Sequence, residues 1–93
     1  MLSKIEKIEM YVELEESNLK FAQEKLDKMC DYAVSNMEEQ INKIGKRRLY
    51  STDVKNTTST MTDLEHARHE VEMHINTLAN MKQMLKLTKE ILE

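Results

Sequence analysis

Lys43-Ile44-Gly45-Lys46-Arg47-Arg48-Leu49-Tyr50-Ser51 is the one stretch that interrupts an otherwise helix-forming chain. It contains Gly45, the sole glycine of a sequence that has no proline. Glycine ends helices because it adopts a left-handed cap at no steric cost, and the cations that follow suit the negative end of the helix dipole. The break falls midway along the 93 residues. It leaves a first arm over about 3–44, a turn over about 45–51 and a second arm over about 52–92, all in one domain, 1–93.

Upstream, Ser3-Lys4-Ile5-Glu6 is a capping-box pattern, a hydroxyl followed three residues later by a carboxylate. Ile5, Ile8, Val12, Leu19, Ala22, Leu26, Met29 and Ala33 then recur at alternating steps of three and four, the spacing of a coiled-coil seam, with Glu15 as the polar member. After Ala33 the apolar spacing slips to Met37, Ile41 and Ile44. Two consecutive steps of four predict a stutter that locally unwinds a supercoil. Downstream of the break, Leu64, Ala67, Val71, His74, Leu78, Met81, Leu85, Thr88 and Leu92 keep the three-four alternation. The polar run Asn56-Thr57-Thr58-Ser59-Thr60 leaves two starts for this arm, one near Ser51 or Thr52 and one at a second capping box, Thr62-Asp63-Leu64-Glu65. The early start is favoured, because long structureless loops are uncommon in compact domains.

These patterns predict an all-α fold, a long antiparallel helical hairpin. Each arm would extend about 63 Å at 1.5 Å per residue. Two registers give regular layers. One sets Ile8 against Leu85 and Leu26 against Ala67; the other sets Ile8 against Leu92 and Met29 against Val71. The expected seam comprises Ile5, Ile8, Val12, Leu19, Leu26, Met29, Leu64, Val71, Leu78, Met81, Leu85 and Leu92. Leu14, Phe21, Ile75, Met84 and Ile91 fall outside it, as do Met10, Cys30, Val34 and Leu87. That surplus predicts a second apolar face covered by another copy or a helical partner, with a dimeric four-helix bundle as the favoured assembly.

Composition narrows the function classes. Only 4% of residues are aromatic and 33% are charged, which leaves little for a thick core or a deep pocket. No Gly-rich phosphate loop is present, and Cys30 has no histidine on its own arm, so an enzyme and a bound cofactor are not expected. His66, His69 and Glu70 share one helical turn, yet a two-helix metal site needs matching ligands from the facing arm, which has no histidine. A solvated face is the expected reading. The eight methionines fit gap-filling between helices, with Met29, Met37 and Met81 on the seam or its stutter, and also fit an adaptable binding surface. Glu15 and His74, at seam positions, could fix the register or make assembly pH-sensitive.

The formal charge of −3 is polarised. Residues 1–39 carry five Lys against ten Asp and Glu, residues 40–55 five Lys and Arg against Asp53, and residues 56–93 four against six. The charged turn Lys43, Lys46, Arg47 and Arg48 could contact phosphates, but no nucleic-acid-binding motif accompanies it, so nucleic acid is not the expected partner. In an antiparallel dimer this basic tip would meet the acidic base of the other copy. Arg47-Arg48-Leu49-Tyr50 is similar to a short cyclin-docking motif and Arg48-Leu49-Tyr50-Ser51 to a basophilic kinase site, patterns that arise often by chance. A single cysteine and no membrane-length apolar run suggest a cytoplasmic protein, with export independent of a signal peptide left open. The C-terminal Thr88-Lys89-Glu90-Ile91-Leu92-Glu93 ends within the apolar period, as a frayed natural terminus or a fragment boundary would.

Lys43-Ile44-Gly45 stands at mid-chain where small hairpins of the WXG100 class carry Trp-x-Gly, with Lys in place of Trp. The chain resembles that class in length, architecture and this one glycine. The resemblance implies a partner or chaperone of a secreted protein, beside the primary expectation of a non-enzymatic protein–protein interaction and oligomerisation module.

Overall fold

The computed structural model describes the backbone of residues 1–45 and 51–92, and the side chains of 1–43, 45 and 57–92. The fold is all-helical: α1 (Lys4–Gly45) and α2 (Ser51–Leu92) pack antiparallel as a hairpin. Lys46, Arg47 and Arg48, three of the four residues of the charged turn, lie outside the described residues.

Ser3 caps α1 as its sequence pattern requires. Its Oγ accepts the Glu6 backbone N–H at 3.1 Å, which satisfies one of the orphan donors of the first turn, and its carbonyl accepts the Lys7 N–H at 3.0 Å, the first regular helical bond. α2 begins at Ser51, and the polar run 56–60 is helical throughout. Thr62, the alternative cap, lies inside the helix, where its hydroxyl donates to the Thr58 carbonyl at 3.1 Å. Such back-bonding lets a threonine sit mid-helix without competing for the ladder.

The structure consists of two compact units. Unit 1 joins Met1–Gln23 to Glu70–Glu93, and unit 2 spans Glu24–His69. In unit 1 the core is built from Val12, Ala22, Val71 and Leu78, with Ile5, Ile8, Leu19, Met81 and Leu85 half-buried around them. In unit 2 it is Ala33, Ala67 and Thr60, with Leu26, Met29 and Leu64 half-buried. Ala67 is the most enclosed residue, at 2% exposure. No large side chain is fully buried among the described residues, which is what a single seam with small residues at its centre allows.

Each unit separately identifies the register. In unit 2, Thr57 Oγ1 and Asn36 Oδ1 are 3.5 Å apart and Gln40 Nε2 donates to Thr57 Oγ1. In unit 1, Glu15 and His74 touch. These contacts fit the register in which Leu26 faces Ala67 and Asn36 faces Thr57. There Glu15 and His74 are one turn apart along the axis, about 6 Å. In the alternative they would be separated by about 16 Å, beyond reach of either side chain.

Two expectations need correction. Leu92 is 53% exposed; in this register it lies opposite Met1, ahead of the start of α1, and has no helix to pack on. The predicted stutter does not occur at Met37 and Ile41 either, and Ile44, its third residue, lies outside the described side chains. The seam continues past Ala33 at unbroken three-four steps through Asn36, Gln40 and Lys43, all half-buried, while Met37 and Ile41 are exposed. Polar residues hold the seam because they find partners there: Gln40 Nε2 donates to Asn36 Oδ1 at 2.8 Å as well as to Thr57. A satisfied polar layer avoids the desolvation penalty that an unpaired amide would incur.

Candidate interaction surface

The two sides of the unit 1 seam differ in chemistry. On one side, α1 presents Glu6, Glu9, Glu13, Glu16 and Lys20, and α2 presents Glu72, Lys82, Lys86 and Lys89. Lys89 Nζ lies 3.3 Å from Glu9 Oε1, and Lys82 Nζ lies 3.7 Å from Glu16 Oε1. Both pairs are about half exposed, so each contributes only ~0.2–1 kcal/mol. On the other side, Ile8, Tyr11, Met81, Met84, Leu87 and Thr88 line an open, mainly apolar groove of about 300 Å³.

Heptad arithmetic extends that apolar side. Leu14 follows Tyr11 by three residues, Phe21 follows Leu14 by seven, and Ile91 follows Met84 by seven, so all lie on the flank that carries the groove. Phe21 is 71% and Ile91 79% exposed, and Leu14, Met84 and Tyr11 are about half exposed. Four residues of the predicted second apolar face therefore share one surface. The fifth, Ile75, does not. It precedes Lys82 and Lys89 at seven-residue intervals and belongs to the charged side, where it is 48% exposed. Tyr11, absent from the predicted face, was detectable as the residue one position before Val12, hence flanking the seam on that side.

Glu15 and His74 form the polar interruption of the unit 1 seam. The carboxylate can only accept, so the imidazole donates from Nδ1. Their side chains are 13% and 30% exposed respectively. In the rejected register Glu15 would face Leu85 and His74 would face Leu26, each without a partner, so the pair discriminates between registers as well as satisfying itself. We expect His74→Leu alone to cost about 1–3 kcal/mol by stranding the carboxylate. Adding Glu15→Leu should restore stability to the wild-type level or above, as apolar replacement of buried pairs often does. A double-mutant cycle in urea reads this coupling, and additive single effects would show that the two side chains act independently.

The remaining predicted residues are placed as follows. His66, His69 and Cys30 are exposed. Among the described residues no group of three or more His, Cys, Asp or Glu is arranged to hold a metal ion, and no helix is long and apolar enough to cross a membrane. Lys43 pairs with Glu39 at 3.4 Å, one turn back on α1. No family model, curated protein or solved structure matches the chain. The likeness to the WXG100 class thus rests on chain length, the mid-chain turn and Gly45 alone.

Proposed function

We propose that the chain is a non-enzymatic protein–protein interaction module that self-associates through the apolar side of unit 1, pairing two hairpins as an antiparallel four-helix bundle. The observation that carries this reading is the one-sided chemistry of that unit. Tyr11, Leu14, Phe21, Met84, Leu87 and Ile91 are left in water on the flank opposite the Glu9–Lys89 and Glu16–Lys82 pairs. Aromatic side chains bury about 150–250 Å² each when enclosed and aliphatic ones somewhat less, so this half-exposed set offers on the order of 600 Å², approaching the ~800 Å² per partner of a standard interface. Charge supports a second copy as the occupant. The apolar flank carries few charges, Lys4, Lys7 and Glu70 by the same seven-residue steps, all toward the ends of its helix stretches, whereas the other flank would set Glu6, Glu9, Glu13 and Glu16 near their own copies.

Sedimentation equilibrium of the purified chain tests the reading. We expect a mass of twice 11.0 kDa at concentrations of about 10 μM, the range in which interfaces of this size commonly hold. A single species of monomer mass across that range would remove it.

A further inference from the structure

We infer that unit 2 carries a second, separate docking stripe, Cys30, Val34, Met37 and Ile41 on α1, which takes one amphipathic helix bearing Lys or Arg beside its apolar seam. The four residues are spaced by four, three and four. Each follows a seam residue (Met29, Ala33, Asn36, Gln40) by one position. They form a coiled-coil seam of their own on the outside of the hairpin. All four are exposed, Met37 at 62% and Ile41 at 70%.

The inner seam beneath the stripe explains why it should be read as a surface with a purpose. Beneath Met37 and Ile41 the hairpin is closed by Asn36, Gln40 and Thr57, polar groups that bond one another. Beyond Ala33, the last apolar residue of the α1 seam, Val34, Met37 and Ile41 therefore serve the outer face and not the hairpin. A helix whose best apolar stripe is left in water contradicts the usual agreement between local pattern and packing, and such conflicts concentrate at functional surfaces.

Charge identifies the partner. The outer edge of the stripe is set by Glu24, Asp31 and Glu38, at seven-residue intervals, and Asp27, seven residues before Val34, ends the stripe on its N-terminal side; all four are exposed. On α1, Lys28 lies further round, away from the stripe; on α2, Arg68, seven residues before Ile75, borders the stripe on its hairpin side and leaves the outer edge acidic. Flanking charges select coiled-coil partners, so an acidic edge favours a helix with cations at the facing positions. The same edge disfavours a second copy, because antiparallel packing of the stripe on itself sets Asp31 and Glu38 against their own equivalents. This surface is distinct from the apolar side of unit 1, and its occupancy does not depend on self-association.

The test uses the full chain and a designed peptide with leucine at every seam position and lysine at every flanking position, titrated by calorimetry. A control peptide carries glutamate in place of lysine. We expect the lysine peptide to bind with micromolar affinity, at least tenfold tighter than the glutamate peptide. Met37→Asp should weaken it at least tenfold, as should Asp31→Lys with Glu38→Lys at low salt. Met37→Ser provides a milder variant, and circular dichroism confirms that each variant keeps its helices. Equal binding of the two peptides, or no weakening in folded Met37→Asp and Met37→Ser, would overturn the assignment. A fall in sedimentation mass caused by Met37→Asp would overturn it as well, since the stripe would then be covered by a second copy. Leu14 and Met84 variants report on the unit 1 surface alone, so failure of one surface is distinguishable from failure of the other.

Discussion

Leu78→Ala is expected to lower the free energy of unfolding by about 2–5 kcal/mol, through lost transfer energy and the cavity left behind. Leu78 is one of four buried aliphatic residues that form the centre of unit 1, and in the observed register it lies opposite Glu15. Its removal also admits water to the Glu15–His74 contact, whose strength depends on exclusion of solvent. A small single-seam hairpin has little in reserve, since whole domains are stable by only about 5–15 kcal/mol. Urea denaturation followed by circular dichroism at one fixed protein concentration reads the change as a shifted midpoint at constant slope. A loss of less than about 0.5 kcal/mol, typical of surface substitutions, would show that Leu78 does not belong to the seam.

The first arm as far as Ala33 and the second arm from Leu64 were legible because apolar residues mark every layer except those of Glu15, His74 and Thr88. Ser3 and Glu6 announced the helix start by a local rule that needs no tertiary information. Beyond Ala33 the apolar residues stop marking the seam, and a reading that follows them is led outward to Met37 and Ile41. Continuing the three-four step without regard to polarity reaches Asn36 and Gln40 on α1, and the same step counted back from Leu64 reaches Thr60 and Thr57 on α2. What decided the packing there was mutual hydrogen bonding between two distant segments, and no single-helix pattern reports that. The register was hidden for the same reason. Both candidates align aliphatic layers equally well, and only the polar residues, through the Glu15–His74 contact and the Asn36–Thr57–Gln40 cluster, distinguish them.

The division of unit 1 into an apolar and a charged side was half legible. Leu14, Phe21, Met84 and Ile91 were visible as apolar residues outside the seam, but which of them share a surface depends on how the helices face each other. Ile75 shows the difficulty. It is as apolar as they are and about half exposed, yet seven-residue steps tie it to Lys82 and Lys89, whose ion pairs fix the opposite flank.

Leu14→Glu combined with Met84→Glu is expected to weaken self-association by at least about a hundredfold, equivalent to roughly 2.7 kcal/mol. Both residues are more than half exposed, so the substitutions leave the hairpin folded and act on the associated state. A two-fold interface repeats each change, replacing four apolar side chains by carboxylates that must be desolvated without partners. The loss of burial alone amounts to about 1.5–3 kcal/mol for each large side chain fully enclosed, which places the hundredfold figure at the low end. Ile75→Glu is the matched control, because it adds the same charge to the opposite flank; there we expect less than a threefold change. Dissociation constants from sedimentation velocity, with helix content checked by circular dichroism, give the comparison. If the double variant associates as tightly as the wild type while Ile75→Glu does not, the charged flank is the interface and the assignment of the two sides is reversed. If neither variant alters the mass, association does not use unit 1.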